Sequence, residues 1–193
     1  MQVPYQESLN HGRFETWTVK PDMELVHVKQ VHGVAISTLD KIPCEADGMV
    51  VMWEDLKAPL AIKTADCMPI VIEGEKGVVF LHAGWRGLAD GILRRPEIAD
   101  IKPTRALIGP CIHECCFEVS EDFQNNFRGS KNFIRREGSF AFNLTEEAKE
   151  QLQGQYPRLS VQVAPACTGC DTNFHSYRKT KTTERNWNLY IKG

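Results

Sequence analysis

Two short apolar runs, joined by a polar turn that contains glycine, constrain the fold of this chain more than any other feature. The runs cover residues 68–72 and 78–81, and the turn covers residues 73–77. Apolar runs of this length between turn signals predict strands, so we expect residues 68–73 and 78–82 to form a β-hairpin. Both runs are far shorter than the roughly 18 residues that span a bilayer, which argues against a membrane protein.

The rest of the chain carries several further strand patterns and few helical ones. Residues 25–31 alternate apolar and polar side chains as a half-buried strand does, whereas the first 20 residues are polar and typical of a loop. Helix-forming residues predict helices at 88–95 and at 144–153, the second ending at Gly154. We also predict strands at residues 34–39, 48–53, 60–63, 106–108, 161–164 and 187–191. This pattern predicts an α+β fold with mixed, largely antiparallel sheets and a few helices.

Length, composition and charge limit the classes of protein that fit this chain. With 193 residues, 42% of them hydrophobic and 25% charged, the chain matches one globular domain over residues 1–193. A formal net charge of -2 argues against a surface that binds nucleic acid. The seven cysteines are an odd number and the first residues lack a secretory signal, so we expect a reduced protein in the cytoplasm.

Three residues of metal-binding type lie in similar local settings. His32, Cys67 and His82 each stand where a predicted strand runs into a turn. Two imidazoles and one thiolate form a three-ligand zinc set that leaves a fourth position for water or substrate. Their separations match no zinc finger or ribbon. The residues alone therefore leave a second interpretation open, in which both histidines are ordinary turn residues and the cysteine is a small core residue.

The segment after His82 offers a different kind of site. Residues 84–87, Gly-Trp-Arg-Gly, lie between a predicted strand and a predicted helix, where free backbone N–H groups attract anions. The planar guanidinium of Arg86 adds a phosphate donor, so Gly84, Arg86 and Gly87 are candidates for binding a phosphate or carboxylate. The same residues also suit a tight turn with the tryptophan in the core and the arginine in solvent.

The remaining cysteines allow a rival metal site. Cys111, Cys115 and Cys116 form one group, and Cys167 and Cys170 form a C-x-x-C pair. Together they suit a structural zinc, although the two groups are much further apart than the roughly 15 to 20 residues typical of a zinc ribbon. That separation argues against a shared site.

Six short motifs cover most of the chain from about Gln30 onward. They are residues 30–33 (QVHG), 46–48 (ADG), 64–69 (TADCMP), 82–87 (HAGWRG), 108–119 (IGPCIHECCFEV) and 167–178, which ends in SYR. Together they resemble the YfiH-type laccase-domain family, also called the multicopper polyphenol oxidase family. The N-terminal region departs from this pattern, because residues 4–10 carry one residue more than the family's Tyr-x-Ser-Leu-Asn segment and the Arg-x-Gly-Gly-Val-Ser stretch before it is missing. We therefore expect a family domain that is shortened at its N-terminus.

The resemblance implies that His32, Cys67 and His82 form a metal-binding, catalytic triad in a cytoplasmic enzyme. It also implies a metal-dependent purine nucleoside phosphorylase, since family members are credited with phosphorolysis of adenosine, inosine, guanosine and methylthioadenosine. Some are credited with deamination of adenosine or with copper-dependent oxidation of phenols. The implied ligands are a purine nucleoside and phosphate, and the implied cofactor is zinc, with copper as the alternative. No protein partner is implied.

Phosphorolysis assigns roles to particular residues. The enzyme must place phosphate beneath C1′ of the ribose and stabilise the departing purine, because the transition state is a ribosyl cation. Arg86 is the candidate for holding phosphate. Asp66, protonated beside the metal site, is the candidate for protonating or hydrogen-bonding the purine. The polar stretch 171–178, which ends at Arg178, is a candidate substrate wall, and an exposed loop fits it equally.

Two other classes of function fit the same residues. Imidazole and thiolate ligands also suit copper, so a copper-loaded protein is a candidate phenol oxidase. One three-ligand site is not a multicopper cluster, however, and six histidines are too few for the four coppers of a true laccase. A metal-binding module without enzymatic activity is the third interpretation, which the short N-terminal region favours.

Overall fold

Strands dominate the structure, a computed structural model that describes residues 3–193. Within these residues the strands are β1 (Tyr5–Ser8), β2 (Gly12–Trp17), β3 (Ile36–Ser37), β4 (Gly48–Met52), β5 (Leu60–Thr64), β6 (Met68–Gly74), β7 (Gly77–Ala83), β8 (Pro103–Ile108), β9 (Glu118–Val119), β10 (Phe133–Arg136), β11 (Ser139–Phe142), β12 (Ser160–Val163) and β13 (Asn186–Lys192). The helices are α1 (Trp85–Asp90), α2 (Pro96–Asp100), α3 (Leu144–Gln155) and α4 (Tyr177–Thr180), with 3-10 helices at Leu39–Lys41, Ile92–Arg94 and Glu121–Asn126.

The strands form three sheets. The largest has six strands in the order β12-β8-β6-β7-β4-β3, the second has the order β1-β2-β13-β5, and the third has the order β10-β11-β9. Most neighbours are antiparallel, while β12 and β8, and likewise β3 and β4, run parallel. The predicted α+β fold with mixed, largely antiparallel sheets is confirmed.

The six-stranded sheet forms the centre of the fold because both of its faces are covered. On one face, Phe80 packs with Phe14 and Tyr190 of the four-stranded sheet. On the other face, the sheet packs against helical residues that include Leu88 and Leu152. Every residue of β6 and β7 is buried, which explains why both strands have continuous apolar sequences instead of alternating ones.

The N-terminal residues differ from the prediction of a polar loop. Strands β1 and β2 form an antiparallel hairpin, and β2 also pairs with β13 near the other end of the chain. The buried Glu73 carboxylate of β6 accepts hydrogen bonds from the backbone N–H groups of Asn10 (2.8 Å) and His11 (3.0 Å) in the hairpin turn. The loop prediction is wrong because the groups that order this hairpin are remote in sequence.

The predicted strand at residues 25–31 is also wrong. The segment makes only single β-bridges, from Val26 to Leu60 and from Lys29 to Glu45. Instead, the side-chain amide of Gln30 pairs with the backbone of Lys63: Nε2 donates to the carbonyl oxygen (2.7 Å), and Oε1 accepts from the N–H (2.9 Å). A side chain thus holds the segment against β5, two residues before His32.

The two predicted helices exist with shifted bounds. Helix α1 begins at Trp85, so the Gly-Trp-Arg-Gly segment forms its first turn, and it ends before Gly91, whose φ of 93° is left-handed. Helix α3 continues through Gly154 to Gln155, because one glycine costs only about 1 kcal/mol in a helix and does not break it. None of the helices within residues 3–193 is both long and apolar enough to cross a bilayer.

Candidate active site

His32, Cys67 and His82 meet at the open end of the β6–β7 hairpin. Cys67 directly precedes β6, and His82 lies opposite Pro69 in the antiparallel register. One ligand atom of each of the three residues lies within 4.8 Å of the other two. The two imidazole rings are 4.7 Å apart between centroids and nearly perpendicular, at 85°. The structure therefore brings together the three residues that the sequence proposes as metal ligands.

The carboxylate of Asp47 holds the loop that carries His32. It accepts hydrogen bonds from the backbone N–H groups of Val31 (3.3 Å), His32 (2.9 Å) and Gly33 (2.6 Å). These bonds stabilise the left-handed backbone of His32, whose φ is 62°, a conformation that costs energy for a residue with a side chain. Asp47 is fully buried, whereas His32 is exposed. The loop thus presents an imidazole to solvent from a backbone that is anchored in the interior.

The same carboxylate orients His82. Its Oδ1 lies 2.7 Å from Nδ1 of His82, and the backbone N–H of His82 donates to the carbonyl oxygen of Asp47 at 2.7 Å. Burial alone raises the pKa of Asp47, but the hydrogen bonds from His82, Gly33 and His32 outweigh it and lower the pKa. An ionised carboxylate can only accept, so Nδ1 of His82 carries a proton and Nε2 is the nitrogen left for a ligand role.

The charge state of Cys67 suits a metal ligand. Burial alone raises the pKa of its thiol, but the neighbouring imidazoles of His32 and His82 outweigh burial and lower the pKa to about 6. Burial lowers the pKa of His82, yet Asp47 and Cys67 raise it to about 9. At neutral pH and without metal, Cys67 is therefore a thiolate and His82 an imidazolium. The thiolate is the form of cysteine that binds metals.

The two glycines of the anion-binding prediction have steric roles. A Cβ on Gly84 would lie 3.1 Å from Sγ of Cys67 and 3.6 Å from Cδ2 of His32, so the glycine leaves room for both side chains. A Cβ on Gly87 would lie 2.8 Å from the carbonyl oxygen of Gly33, which shows how closely α1 packs on the His32 loop. Gly84 lines the adjoining cavity, and Gly87 is not among its lining residues.

A cavity of about 580 Å³ is lined by His32, Cys67 and His82 together with charged and aromatic residues. Its volume lies within the roughly 300 to 1,000 Å³ typical of small-molecule sites. Its aromatic residues are Trp85, Phe117 and Tyr177. Five cationic side chains line it against a single carboxylate, Asp66; the cations are Lys29, Lys63, Arg86, Arg178 and Arg185. This balance of charge suits an anionic ligand.

Arg86 lines this cavity, and the N–H groups of its guanidinium can bind a ligand there. Its guanidinium carbon lies 4.9 Å from the ring centroid of the neighbouring Trp85. Trp85 is partly buried against the core, as the alternative interpretation of this segment expects. Arg86 is exposed, as that interpretation also expects, and none of the hydrogen bonds or ion pairs described within residues 3–193 involves its guanidinium, so its N–H groups remain available to a ligand in the cavity.

Asp66 connects the metal-ligand segment to the polar stretch 171–178. Its Oδ2 accepts a hydrogen bond from the backbone N–H of Arg178 (2.6 Å), and its Oδ1 accepts one from the hydroxyl of Thr168 (2.8 Å). Its φ of 92° is unusual for a residue with a side chain. Both oxygens of Asp66 therefore accept hydrogen bonds that hold its side chain in place beside the cavity.

Arg178 is exposed and lines the cavity, so both interpretations of its segment remain open. Its guanidinium donates to the carbonyl oxygen of Glu118 at 2.7 Å. The same group lies over the ring of Phe117, 5.2 Å from the centroid. Arg178 is thus held in place by its own chain and supports an aromatic side chain of the cavity.

Several residues of the site are not predicted from the sequence. Asp47 and Gln30 both lie inside quoted motifs, and an acid directly before an apolar strand is the signal that was available for Asp47. Phe117 also lies inside a quoted motif, whereas Lys63 and Arg185 line the cavity without a local motif that would identify them.

The other cysteines also cluster, contrary to the expectation from their spacing. Cys115, Cys116, Cys167 and Cys170 place their sulfur atoms within 4.8 Å of one another. Cys111 is buried in the core outside this group. The long separation in sequence is bridged because β8 and β12 are neighbours in the central sheet.

Comparisons with known proteins agree with the motifs. A family model described as multi-copper polyphenol oxidoreductase laccase matches residues 7–191. A purine nucleoside phosphorylase of Aquifex aeolicus is 35% identical over 182 residues, covering 90% of this chain and 84% of that protein. A purine nucleoside phosphorylase of Shigella flexneri is 30% identical, covering 83% and 70%. A crystal structure of a Neisseria meningitidis protein matches with a TM-score of 0.77 at 27% identity, covering 88% of this chain and 75% of that one. The resemblance drawn from the motifs is confirmed.

Proposed function

Since this chain belongs to the family described as multi-copper polyphenol oxidoreductase laccase, we propose that it is a metal-dependent purine nucleoside phosphorylase. Its proposed substrates are phosphate and adenosine, inosine, guanosine or methylthioadenosine, with deamination of adenosine as a second activity. Two relatives that carry the name purine nucleoside phosphorylase support this assignment. The observation that carries it is the cluster of His32, Cys67 and His82 in the lining of a cationic cavity.

The three clustered residues fit a divalent zinc ion. Zinc binds nitrogen at about 2.0 to 2.1 Å and sulfur at about 2.3 Å, so the nitrogen and sulfur ligands of one tetrahedral ion stand roughly 3.3 to 3.6 Å apart. The ligand atoms of the cluster lie within 4.8 Å of one another, close enough for side-chain rotation to bring them to that separation. Three protein ligands leave one position open, which is typical of catalytic zinc. When bound, the ion supplies a Lewis acid beside the substrate, the chemistry that deamination also uses.

We propose that Arg86 holds the phosphate. Phosphorolysis joins a phosphate oxygen to C1′ while the bond from C1′ to the purine nitrogen breaks, so the phosphate must be fixed close to the ribose. Arg86 stands in the first turn of α1, four residues after His82, with its donors available. Lys63 adds positive charge to the same lining. A planar guanidinium binds two phosphate oxygens at once, which fixes the orientation of the nucleophile.

We propose that the aromatic wall binds the purine. Phe117 lines the cavity and is packed beneath the guanidinium of Arg178, so its ring is held in a fixed position. A purine base stacks on such a ring with an offset or edge-on geometry. Asp66 lies in the same lining, where lone pairs not used by Thr168 and Arg178 can accept hydrogen bonds from a ribose hydroxyl or a purine N–H. In this proposal Asp66 positions the nucleoside.

The test of the proposed function is a product analysis. Zinc-loaded protein is incubated with adenosine in the presence and absence of phosphate, and free adenine, ribose 1-phosphate and inosine are quantified. We expect adenine and ribose 1-phosphate in equal amounts, only when phosphate is present. Cys67→Ser should abolish the reaction, because a hydroxyl that stays protonated replaces a thiolate ligand. The matched control is Cys44→Ser, since Cys44 lies outside the metal-ligand clusters.

The family description supports a second candidate function, copper-dependent oxidation of phenols. The donor set of two imidazoles and one thiolate suits a single copper ion. Within residues 3–193, only two of the six histidines lie in a metal-ligand cluster, so a four-copper laccase centre is not supported. Copper-loaded protein should be assayed with a phenol beside the phosphorolysis assay. Phenol oxidation without phosphorolysis by the zinc form would favour this second function.

The thiols support a reducing compartment. All seven cysteines are free in the structure, including several whose sulfur atoms lie close together. Free neighbouring thiols persist where glutathione and thioredoxin keep cysteines reduced. We therefore propose that the protein works in the cytoplasm.

A further inference from the structure

Four cysteines form a second cluster away from His32, Cys67 and His82. Cys115 and Cys116 lie in the loop after β8, and Cys167 and Cys170 lie in the loop after β12. Sγ of Cys170 lies 3.3 Å from Sγ of Cys115 and 3.3 Å from Sγ of Cys116. The four sulfur atoms lie within 4.8 Å of one another. Thiolates that share one tetrahedral zinc stand about 3.8 Å apart, since each Zn–S bond is about 2.3 Å.

The backbone of the two loops is built around this cluster. A β-bridge joins Cys111 to Cys167, and the N–H of Thr168 donates to the carbonyl oxygen of Cys111 at 2.9 Å. A Cβ on Gly169 would lie 2.7 Å from Cβ and 2.9 Å from Sγ of Cys116. Glycine at this position therefore lets the loops approach closely enough for their sulfur atoms to meet.

Two of the four thiols are exposed, and a third, the buried Cys167, has a backbone donor, which is unlike cysteines that only fill space. Cysteine that only fills space is among the most buried residue types, yet Cys115 and Cys170 are exposed. Sγ of Cys167 accepts a backbone hydrogen bond from His113 at 3.3 Å. The guanidinium of Arg136 donates to the carbonyl oxygens of Glu114 (2.7 Å) and Cys115 (3.5 Å). The backbone N–H of His113 thus points at a sulfur atom of the cluster, and Arg136 holds the backbone of the loop that carries Cys115.

We propose that Cys115, Cys116, Cys167 and Cys170 bind a structural zinc ion. The four thiols lose their protons on binding, and the four sulfur atoms complete a closed tetrahedral set with no position left for substrate. A single ion removes the repulsion that four neighbouring thiolates would otherwise have. This inference does not depend on the proposed function.

The proposed zinc would fix one wall of the cavity. The N–H of Ile112, next to the first loop, donates to the carbonyl oxygen of Asp66 at 2.9 Å. The hydroxyl of Thr168, in the second loop, donates to the carboxylate of Asp66. Phe117 follows the paired cysteines directly and lines the cavity. An ion that ties the two loops together therefore holds these groups in place without touching a substrate.

The first experiment counts zinc ions per chain in purified full-length protein. We expect the double variant Cys115→Ser/Cys170→Ser to hold one zinc fewer than the parent, and to unfold at a lower temperature. Cys67→Ser should retain the zinc of the four-cysteine cluster. Cys44→Ser, a matched control outside both clusters, should keep the zinc content of the parent. An unchanged zinc content in the double variant overturns the proposal.

A second measurement does not require the double variant to fold. Cys67→Ser protein, with the four cysteines intact, is loaded with zinc and studied by X-ray absorption. We expect four sulfur neighbours at about 2.3 Å from the ion. Nitrogen or oxygen neighbours, bound iron in place of zinc, or a disulfide that joins Cys170 to Cys115 or Cys116 in freshly purified protein would each contradict the proposal. Loss of phosphorolysis in any of these proteins bears on the proposed function and leaves this test unaffected.

Discussion

The carboxylate of Asp47 lies 2.7 Å from Nδ1 of His82 and also accepts the backbone N–H of His32 at 2.9 Å. One buried side chain therefore orients two of the proposed metal ligands, one through its ring and the other through its backbone. A carboxylate behind a ligating histidine fixes the tautomer of the ring and increases its basicity. This arrangement prepares the cluster of His32, Cys67 and His82 for a metal ion before the ion arrives.

Asp47→Asn should weaken zinc binding by about 10- to 100-fold, because an amide cannot accept from His82 and three backbone N–H groups as a carboxylate does. The measurement is a competition between the protein and a chromogenic chelator. Asp22→Asn, at an exposed position, provides the control for loss of one acidic side chain. An affinity equal to that of the parent would show that Asp47 contributes only to the fold.

Gly84→Ala should also weaken zinc binding, since the added Cβ would lie 3.1 Å from Sγ of Cys67 and displace it. The control is Gly154→Ala, where the added Cβ meets nothing within 4 Å. In the last turn of α3, that substitution should stabilise the fold by up to about 1 kcal/mol. Isothermal titration of both variants with zinc separates the two effects. Equal zinc affinity in both variants would contradict the steric role of Gly84.

Arg86→Ala should raise the KM for phosphate and lower phosphorolysis by about 10- to 100-fold, the range expected for loss of a charge-assisted contact worth roughly 1.5 to 3 kcal/mol. Steady-state kinetics at varied phosphate concentration provide the measurement. Arg128→Ala serves as the control for loss of one exposed cation outside the cavity lining. Zinc content must first be shown to be unchanged, because Arg86 lies close to His82 in the chain. An unchanged KM would indicate that another cation of the cavity lining binds the phosphate, and Arg178 is the next candidate.

The strands of the central sheet can be predicted from sequence because their signal is local. The apolar residues of β6 and β7 form continuous runs, and the turn between them contains two glycines. The N-terminal hairpin cannot be predicted in this way, because β2 pairs with β13 and its turn is held by Glu73. Neither partner is near the hairpin in sequence.

The candidate site likewise contains residues that can be predicted from the sequence and residues that cannot. Cys67 and His82 flank the β6–β7 hairpin that the sequence predicts, whereas the strand predicted before His32 does not form. The role of Asp47 depends on hydrogen bonds to two distant segments, so it appears only in the folded chain. The four-cysteine cluster depends on the parallel pairing of β8 with β12, which carries Cys115 and Cys170 to the same place. Spacing alone argued against that cluster and was misleading.

The stability of the fold should depend on pH through Glu147. Burial alone raises the pKa of this carboxyl, but hydrogen bonds from Ser130 (2.6 Å), Gln151 (2.9 Å) and Asn132 (3.0 Å) outweigh it and lower the pKa. A lowered pKa stabilises the folded state above the unfolded pKa of about 4.3, and this contribution is lost as the pH falls through the folded value.

Glu147→Gln should therefore lower the free energy of unfolding by about 1 to 3 kcal/mol at pH 7. The difference between the variant and the parent should shrink as the pH falls below about 4, and urea unfolding across this range measures it. Glu137→Gln, at an exposed position, is the control. A difference that stays constant with pH would show that the effect of Glu147 does not depend on its charge.

The most direct test of the proposed phosphorolysis is the release of adenine from adenosine by the zinc-loaded protein. Metal content is measured on the same sample, so that an inactive protein cannot be explained by lost zinc. We expect adenine and ribose 1-phosphate in equal amounts, with no adenine released when phosphate is left out. A fully zinc-loaded protein that releases no purine base from any of the proposed nucleosides, or that releases adenine equally without phosphate, would contradict phosphorolysis.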